Sequence, residues 1–546
     1  MDAELQVESL DHLGLVAGVI DELGLVKLTD ELLPGHPQNH ISSGQVVKAM
    51  ILNCFGFLSA PLYLFSEFFE SKPVAHLLGE GIEAKHLNDD RIGRVLDGLY
   101  ESGVTMFFLK AAMEAVERCG VKTKQCHLDS SSFSVEGEYA VEREGEKEFQ
   151  SIEICRGYSR DQRPDLKQYL VNLVCSRDGG VPLWLKVAGG NQSDGVTFAK
   201  IMEEFQGQWN LESLFVMDAA FYSQSNVQKV SSLKWLSRVP QTIGAAKKVI
   251  QGSTADWTEV ECQLPGYQMW ETRQNYGGEE QRWLLIESGH RQGNPDLWEK
   301  ELHKCERGLK KEWKQLQNRV FACRPDAYEA LLQFNESLEY HQLIQVSLET
   351  MRPRRAPGQA RGEKSTTPVE GYRLRGQLER KPGIEVPLTR QVSRFILATN
   401  QLDHQEWPGE KLLMEYKQQQ QVERGFRFLK DPLFFTSSVF VKKPQRIEAL
   451  ALLMALTLLV YTIAERKLRQ NLAIAQETVL DQLKRPTARP TFRWILQKFQ
   501  GIHLVLLNGV QQITNLTEER RRIIQLLGPP VCRYYLLPTP QPTCGM

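Results

Sequence analysis

Two short segments place an acid where a β-strand is expected. In Cys126-His127-Leu128-Asp129-Ser130-Ser131-Ser132-Phe133, alternation sets Cys126 and Leu128 on one face of a strand and His127 and Asp129 on the other. Asp is a poor strand residue, so it either turns the strand end or is held there for its carboxylate. In Leu214-Phe215-Val216-Met217-Asp218-Ala219-Ala220-Phe221, four apolar residues run straight into Asp218. A strand buried on both faces has this pattern, and the carboxyl end of such a strand is where α/β sheets place their active sites. A third acid lies in a helical stretch from Glu415 to Lys430. At about 100° per residue, Tyr416, Glu423, Arg427 and Lys430 fall within roughly 60° of one another, and Val422, Phe426 and Leu429 cluster on another face. A solvated charged face has the same pattern. Taken together, Asp129, Asp218 and Glu423 form an oxygen donor set suited to Mg²⁺, for which Mn²⁺ can substitute. Two such ions about 4 Å apart can activate the attacking oxygen and stabilise the leaving oxygen of a phosphodiester displacement. Nearby Arg and Lys would hold the strand being cut.

Competing chemistries lack their motifs. No HExxH, no GxSxG before a helix and no GxxxxGK[ST] loop occurs, which removes metalloprotease, α/β-hydrolase and P-loop readings. The ten cysteines include no CxxC pair, so neither a zinc site nor a disulfide framework is expected. His127 could be a metal ligand or a packed side chain, and Ser130 to Ser132 have no partnered base.

The elements that must position the acids are those of a globular chain of 546 residues, 42% apolar and 24% charged, long enough for several modules. Residues 1–120 read as helices, holding either a helix-turn-helix or a plain helical interaction domain. Residues 121–240 give three strand candidates and then alternate helix and strand, a mixed α/β layer. Residues 241–392 interrupt that sheet with Trp-bearing β runs joined by the turn Asn275-Tyr276-Gly277-Gly278, an amphipathic helix from Trp298 to Val320, and a second helix near Asp326 to Leu348. A basic segment from Met351 to Lys381 follows, either a linker poorly ordered without DNA or a DNA-contacting arm. Residues 393–470 resume the sheet at Ser393 to Thr399 and carry the Glu423 helix, and residues 471–546 read as helical. The apolar run from Ala449 to Ala464 is short for a bilayer, so a core helix is expected and no membrane partner. An acid-rich start without a basic, apolar leader predicts no export. Net charge is −1, but residues 1–120 hold 8 basic against 18 acidic side chains while residues 411–546 hold 20 against 9. That gradient points to an anionic partner for the basic end.

These residues resemble an insertion-sequence transposase of the DDE class, in the group with a β-rich insertion before the third acid and a helical signature of Tyr, two residues, Arg, three residues, Glu, six residues, Lys. Tyr416, Glu423 and Lys430 match that signature, while Gln419 stands at the Arg position and Arg427 is the candidate substitute. Gly157-Tyr158-Ser159-Arg160-Asp161, Arg163-Pro164-Asp165-Leu166-Lys167-Gln168, Gly190-Asn191-Gln192-Ser193-Asp194 and Thr399-Asn400 are similar to the group's core. The resemblance implies a ribonuclease H-like catalytic core, an α/β fold with a mixed sheet and flanking helices, interrupted by a β-rich plus helical insertion and preceded by an α-helical N-terminal domain. It implies catalysis and metal binding by Asp129, Asp218 and Glu423 with two Mg²⁺ ions, and DNA contact by Tyr416, Arg427 and Lys430. Implied partners are double-stranded DNA, as the element's terminal inverted repeats and target DNA, and a second copy in a homodimer on DNA, in a bacterial cytoplasm at the nucleoid. A metal nuclease without strand transfer and a non-catalytic DNA-binding derivative are the alternatives.

Overall fold

The computed structural model describes every residue except 1–4, 37–38, 57–64, 137–138, 140–150, 158–162, 193, 210–211, 253, 255–256, 293, 295, 352–370, 432–442 and 539–546. The chain forms two compact units, one of Met1–Ser237, Asn275–Gln281 and Thr399–Met546, the other of Arg238–Gln274 and Arg282–Ala398.

In the first unit, β1 (Gln125–Val135), β2 (Lys167–Ser176), β3 (Pro182–Gly189), β4 (Leu214–Met217) and β5 (Lys234–Arg238) lie in the order β3-β2-β1-β4-β5. The first three are antiparallel, β4 runs parallel to β1, and β5 runs parallel to β4. Parallel neighbours need a crossover, which α1 (Asp194–Trp209) supplies between β3 and β4 and the helix Gln224–Lys229 supplies between β4 and β5. This mixed sheet with flanking helices is the ribonuclease H-like arrangement. Alternation splits its two faces. Phe133, Val135, Tyr169, Val171, Leu173, Cys175, Leu185 and Val187 share one core with α4 (Pro444–Ala475).

The helix α4 is long and apolar enough to cross a membrane by length and composition, yet 78% of its most apolar stretch is buried inside the protein. It is the core helix of the unit. The helices Ser43–Cys54, Asp89–Glu101 and Val104–Cys119 pack on it. The helix Leu13–Leu23 meets Pro529–Tyr534 so closely that a Cβ on Gly18 would lie 2.6 Å from the Val531 Cα. Acidic and basic ends of the sequence therefore meet within one chain. Asp97 takes both Arg446 Nε at 2.6 Å and a second guanidinium nitrogen at 2.7 Å, Glu22 pairs with Lys467, and Asp21 accepts from Lys48, Arg533 and the Tyr534 hydroxyl.

Neither end is wholly helical, in contrast to the expectation from sequence. Leu5–Ser9 pairs antiparallel with His503–Leu507, which pairs in turn with Val510–Ile513. The alternation in Leu5-Gln6-Val7-Glu8 is a strand pattern whose partner lies at the other end of the chain.

The strands Arg394–Thr399, Glu279–Ser288, Tyr267–Tyr276 and Thr258–Val260, which follow one another in that order, belong to the second unit except for Thr399 and the hairpin tip Asn275–Gln281. Gly277 and Gly278, at φ 68° and 83°, form the two-residue hairpin turn that the sequence signals. The helices Asp296–Asn318 and Arg324–Glu336 pack on a hairpin of His341–Met351 with Gly371–Arg380 around Trp313, Phe321, Phe334 and Leu374. The expected helix to Leu348 is thus a shorter helix followed by a strand. A bulge after Ile344, with Gln345 at φ 52°, resets the alternation, so Leu343 and Leu348 face the same core and mimic helical spacing. The end of the basic segment, Gly371–Arg380, is likewise a strand, and its remainder, 352–370, lies outside the described residues.

Burial pushes the Glu448 carboxyl on α4 up to about 7 from 4.5, against the pull of the Ile152 amide that donates to it and of Lys186. A raised folded value makes its contribution complete below the unfolded value and lost as pH climbs through the folded one. Stability is expected to fall between about pH 4.5 and 7 by on the order of 3 kcal/mol from this group. Denaturant unfolding across that range should show the Glu448→Gln protein flatter than the parent; an unchanged profile would remove Glu448 as the source.

Candidate active site

The strands β1 and β4 pair in parallel with Gln125 at Leu214, Cys126 at Phe215 and His127 at Val216. Continued two residues beyond the last paired positions, that register would set Asp129 level with Asp218, one strand spacing of about 5 Å away. Leu214 to Met217 are fully buried, which fixes the register because a one-residue slip would turn every side chain to the wrong face. Asp218 begins where β4 stops. Its carbonyl accepts from the Ser237 hydroxyl at 2.8 Å and its Oδ1 from the Ala220 amide at 3.0 Å, a local turn that holds the acid at the strand end. Asp129 is 9% exposed, and its Oδ1 accepts from the Ser130 amide at 2.8 Å.

The third acid comes from helices α2 (Gly409–Lys417) and α3 (Gln420–Leu429). They are separated at Gln418 and Gln419, where bonds to residues three back (Gln419 N to Tyr416 O, Val422 N to Gln419 O) tighten the turn. The single helix expected from the sequence is therefore two, with Tyr416 on α2, Glu423 and Arg427 on α3, and Lys430 capping its end. Val422, Phe426, Phe428 and Leu429 bury α3 in the core, with Phe428 4.3 Å from Tyr461, while Glu423, Arg424 and Arg427 stay exposed. Lys430 Nζ lies 5.3 Å from the centre of the Phe133 ring on β1, a cation–π contact.

Two anchors set α2 and α3 along β1. Near its beginning, the Arg177 amide donates to the Gln125 carbonyl at 3.0 Å, and the Arg177 Nε lies 3.0 Å from Glu415 Oε2 on α2. Further along is the Lys430 contact with Phe133. Glu423 lies between Glu415 and Lys430 in sequence, and Asp129 lies between Gln125 and Phe133 on β1. The helix α3 also packs on β1, over the face that carries Asp129.

An all-oxygen set with two carboxylates side by side fits a hard divalent cation. The fit is partial, because among the described residues no three His, Cys, Asp or Glu side chains converge as a metal-holding group. Asp129 and Asp218 lie on adjacent strands, and Glu423 is exposed on α3, so the three acids do not close into a cluster. His127 is a packed side chain. It is fully buried, neither ring nitrogen has a hydrogen-bond partner among the described residues, and burial with Arg177 nearby brings it down to about 4, so it is neutral at pH 7.

Residues 124–460 match the family model described as a transposase DDE domain, over more than half of the chain. The chain belongs to the DDE transposase family. Residues 5–113 match a domain of unknown function, DUF4277, and no protein of curated function matches significantly. Among solved structures, the cryo-EM structure of the piggyBac transposase synaptic complex with hairpin DNA aligns over 91% of this chain and 82% of that one, at 10% identity and a TM-score of 0.38.

Several motif residues of this transposase serve the sheet. A Cβ on Gly157 would lie 1.9 Å from the Gly190 carbonyl, and one on Gly190 would lie 2.2 Å from the Gln168 carbonyl, so three separate motifs meet backbone to backbone. The Gln168 side chain completes the junction by donating to Gly190 O at 2.8 Å. Thr399 and Asn400 are knit to β5 through Trp235 and Leu233. Residues 158–161 and Ser193 lie outside the described residues. Gln419, at the signature's Arg position, is 7% exposed and buried at the helix junction, whereas Arg427 is exposed. Sequence reasoning missed Arg177 and Glu415, and the available signal was Glu415 on the same buried stripe as Leu412.

If Arg427 and Lys430 contact phosphates, each neutralised by Gln should weaken DNA binding on all sequences and lower the slope of log affinity against log salt by about one. Fluorescence anisotropy on a generic duplex at several salt concentrations reads this directly. An unchanged slope would assign that side chain to the solvated face.

Proposed function

We propose that the chain cuts DNA at the ends of its mobile element and joins the released 3′-OH ends to target DNA, with Asp129, Asp218 and Glu423 as the catalytic carboxylates holding two Mg²⁺ ions. The observation that supports it most is the parallel pairing of β1 with the buried strand that ends at Asp218, with the helix that carries Glu423 packed on the β1 face that holds Asp129. When bound, the cations supply activation of the attacking oxygen and charge stabilisation of the leaving oxygen. The chain's own residues do the rest. Asp218 is fixed by Ser237, Asp129 by the strand, and His127 stays neutral beneath them, adding no positive charge against the cations. Arg427 and Lys430 on and at the end of α3, with Tyr416 on α2, are the candidate contacts to the phosphate backbone of the strand being cut. Double-stranded DNA is the partner, as terminal inverted repeats and target. Two ends must be cut in concert, which requires a homodimer on DNA, and the working place is the bacterial nucleoid.

Replacing Asp129, Asp218 or Glu423 singly by Ala should lower cleavage on the order of 10³-fold or more while leaving folding and DNA binding largely intact. The assay incubates the protein with its element's ends and Mg²⁺ or Mn²⁺ and maps nicks and joined products. Full cleavage by Glu423→Ala would remove that residue, cleavage without joining would leave a nuclease, and no cleavage by the parent would leave a DNA-binding derivative.

A further inference from the structure

The Glu415 side chain is 2% exposed, and its only ion-pair partner among the described residues is Arg177, at 3.0 Å. Burial raises its carboxyl above the usual range, and Arg177 and Lys411 pull it back down. A charge in that position is expensive to bury, and apolar packing alone would hold α2 without it, as Leu412 and Leu413 already do. What the pair adds is direction. Apolar contacts are non-directional, whereas a slide by a helical turn would strip the buried Glu415 carboxylate of its charge contact with the partly exposed Arg177 guanidinium. Sliding matters here, because the tightened turn at Gln418 and Gln419 separates α2 from α3 and gives the two helices a place to shift.

We propose that the Arg177–Glu415 pair is a positioning device that fixes the register of α2 and α3 on β1, and so how far along the strand carrying Asp129 the exposed Glu423 is set. Arg177 is itself held by its amide on Gln125, the first residue of β1, so the pair ties the helices to the strand that carries Asp129. Lys430 on Phe133 is the second tie, and Glu423 lies between the two. This rests on the three-acid reading, and neither Arg177 nor Glu415 touches DNA or metal.

The test titrates the full chain with Mn²⁺ alone, reading free Mn²⁺ by electron paramagnetic resonance, and records thermal midpoints in parallel. Glu415→Gln should weaken Mn²⁺ binding on the order of tenfold, the usual effect of losing a group that orients a ligand. The double variant Arg177→Met with Glu415→Leu leaves no buried charge unpaired and should keep the parent's thermal midpoint while showing the same loss; it decides the matter if Glu415→Gln folds poorly. Asp129→Ala should weaken binding at least as much. If Asp129→Ala weakens binding while both pair variants bind like the parent, the positioning role is overturned and the three-acid reading stands. If Asp129→Ala binds like the parent, the three-acid reading falls, and the positioning role with it.

Discussion

Parallel pairing of β1 with β4, His127 beside Val216, is the constraint that the rest of the site depends on. Both strands are buried, so their register is set by which side chains reach which core, and the acids inherit that register without any interaction of their own. The energy that places two carboxylates side by side therefore comes from Leu214, Phe215, Val216 and Met217 on one strand and from Cys126, Leu128 and Phe133 on the other. Repulsion between the acids is the cost of the arrangement, and a divalent cation between them is the natural compensation. Glu423 is placed differently, by a helix lying across the strand, and its side chain has more freedom to approach or withdraw.

The same core explains how the chain's charge is used. Arg446, Lys467 and Arg533, which make the C-terminal region basic, are paired with Asp97, Glu22 and Asp21 of the acidic start. Part of the gradient along the sequence is thus internal complementarity around α4. Contact between the acidic module and basic segments occurs within one chain. Cations beside the candidate site are of another kind: Arg424 and Arg427 are exposed on the outer face of α3, next to Glu423.

The acids and the sheet that carries them were legible in the sequence because each signal is local. An apolar run ending in Asp218 and a strand alternating through Asp129 need no distant partner to be read. The two-residue turn at Gly277 and Gly278 and the burial of α4 follow from composition in the same way. Features that depend on remote or irregular pairing were not legible. Leu5–Ser9 becomes a strand only beside His503–Leu507, the bulge at Gln345 disguises a strand as a helix, and the break at Gln418 and Gln419 moves Tyr416 to a separate helix from Glu423. Arg177 and Glu415 were invisible for the same reason, since their meaning lies in a contact between residues far apart in the chain.

If strand register builds a cation site from Asp129 and Asp218 with Glu423 at its edge, anomalous X-ray diffraction at the manganese edge from crystals grown with Mn²⁺ should show a peak within about 2.5 Å of carboxylate oxygens of both Asp129 and Asp218, with Glu423 drawn toward it. A peak held elsewhere, or none at these two acids in crystals that bind Mn²⁺, would contradict it.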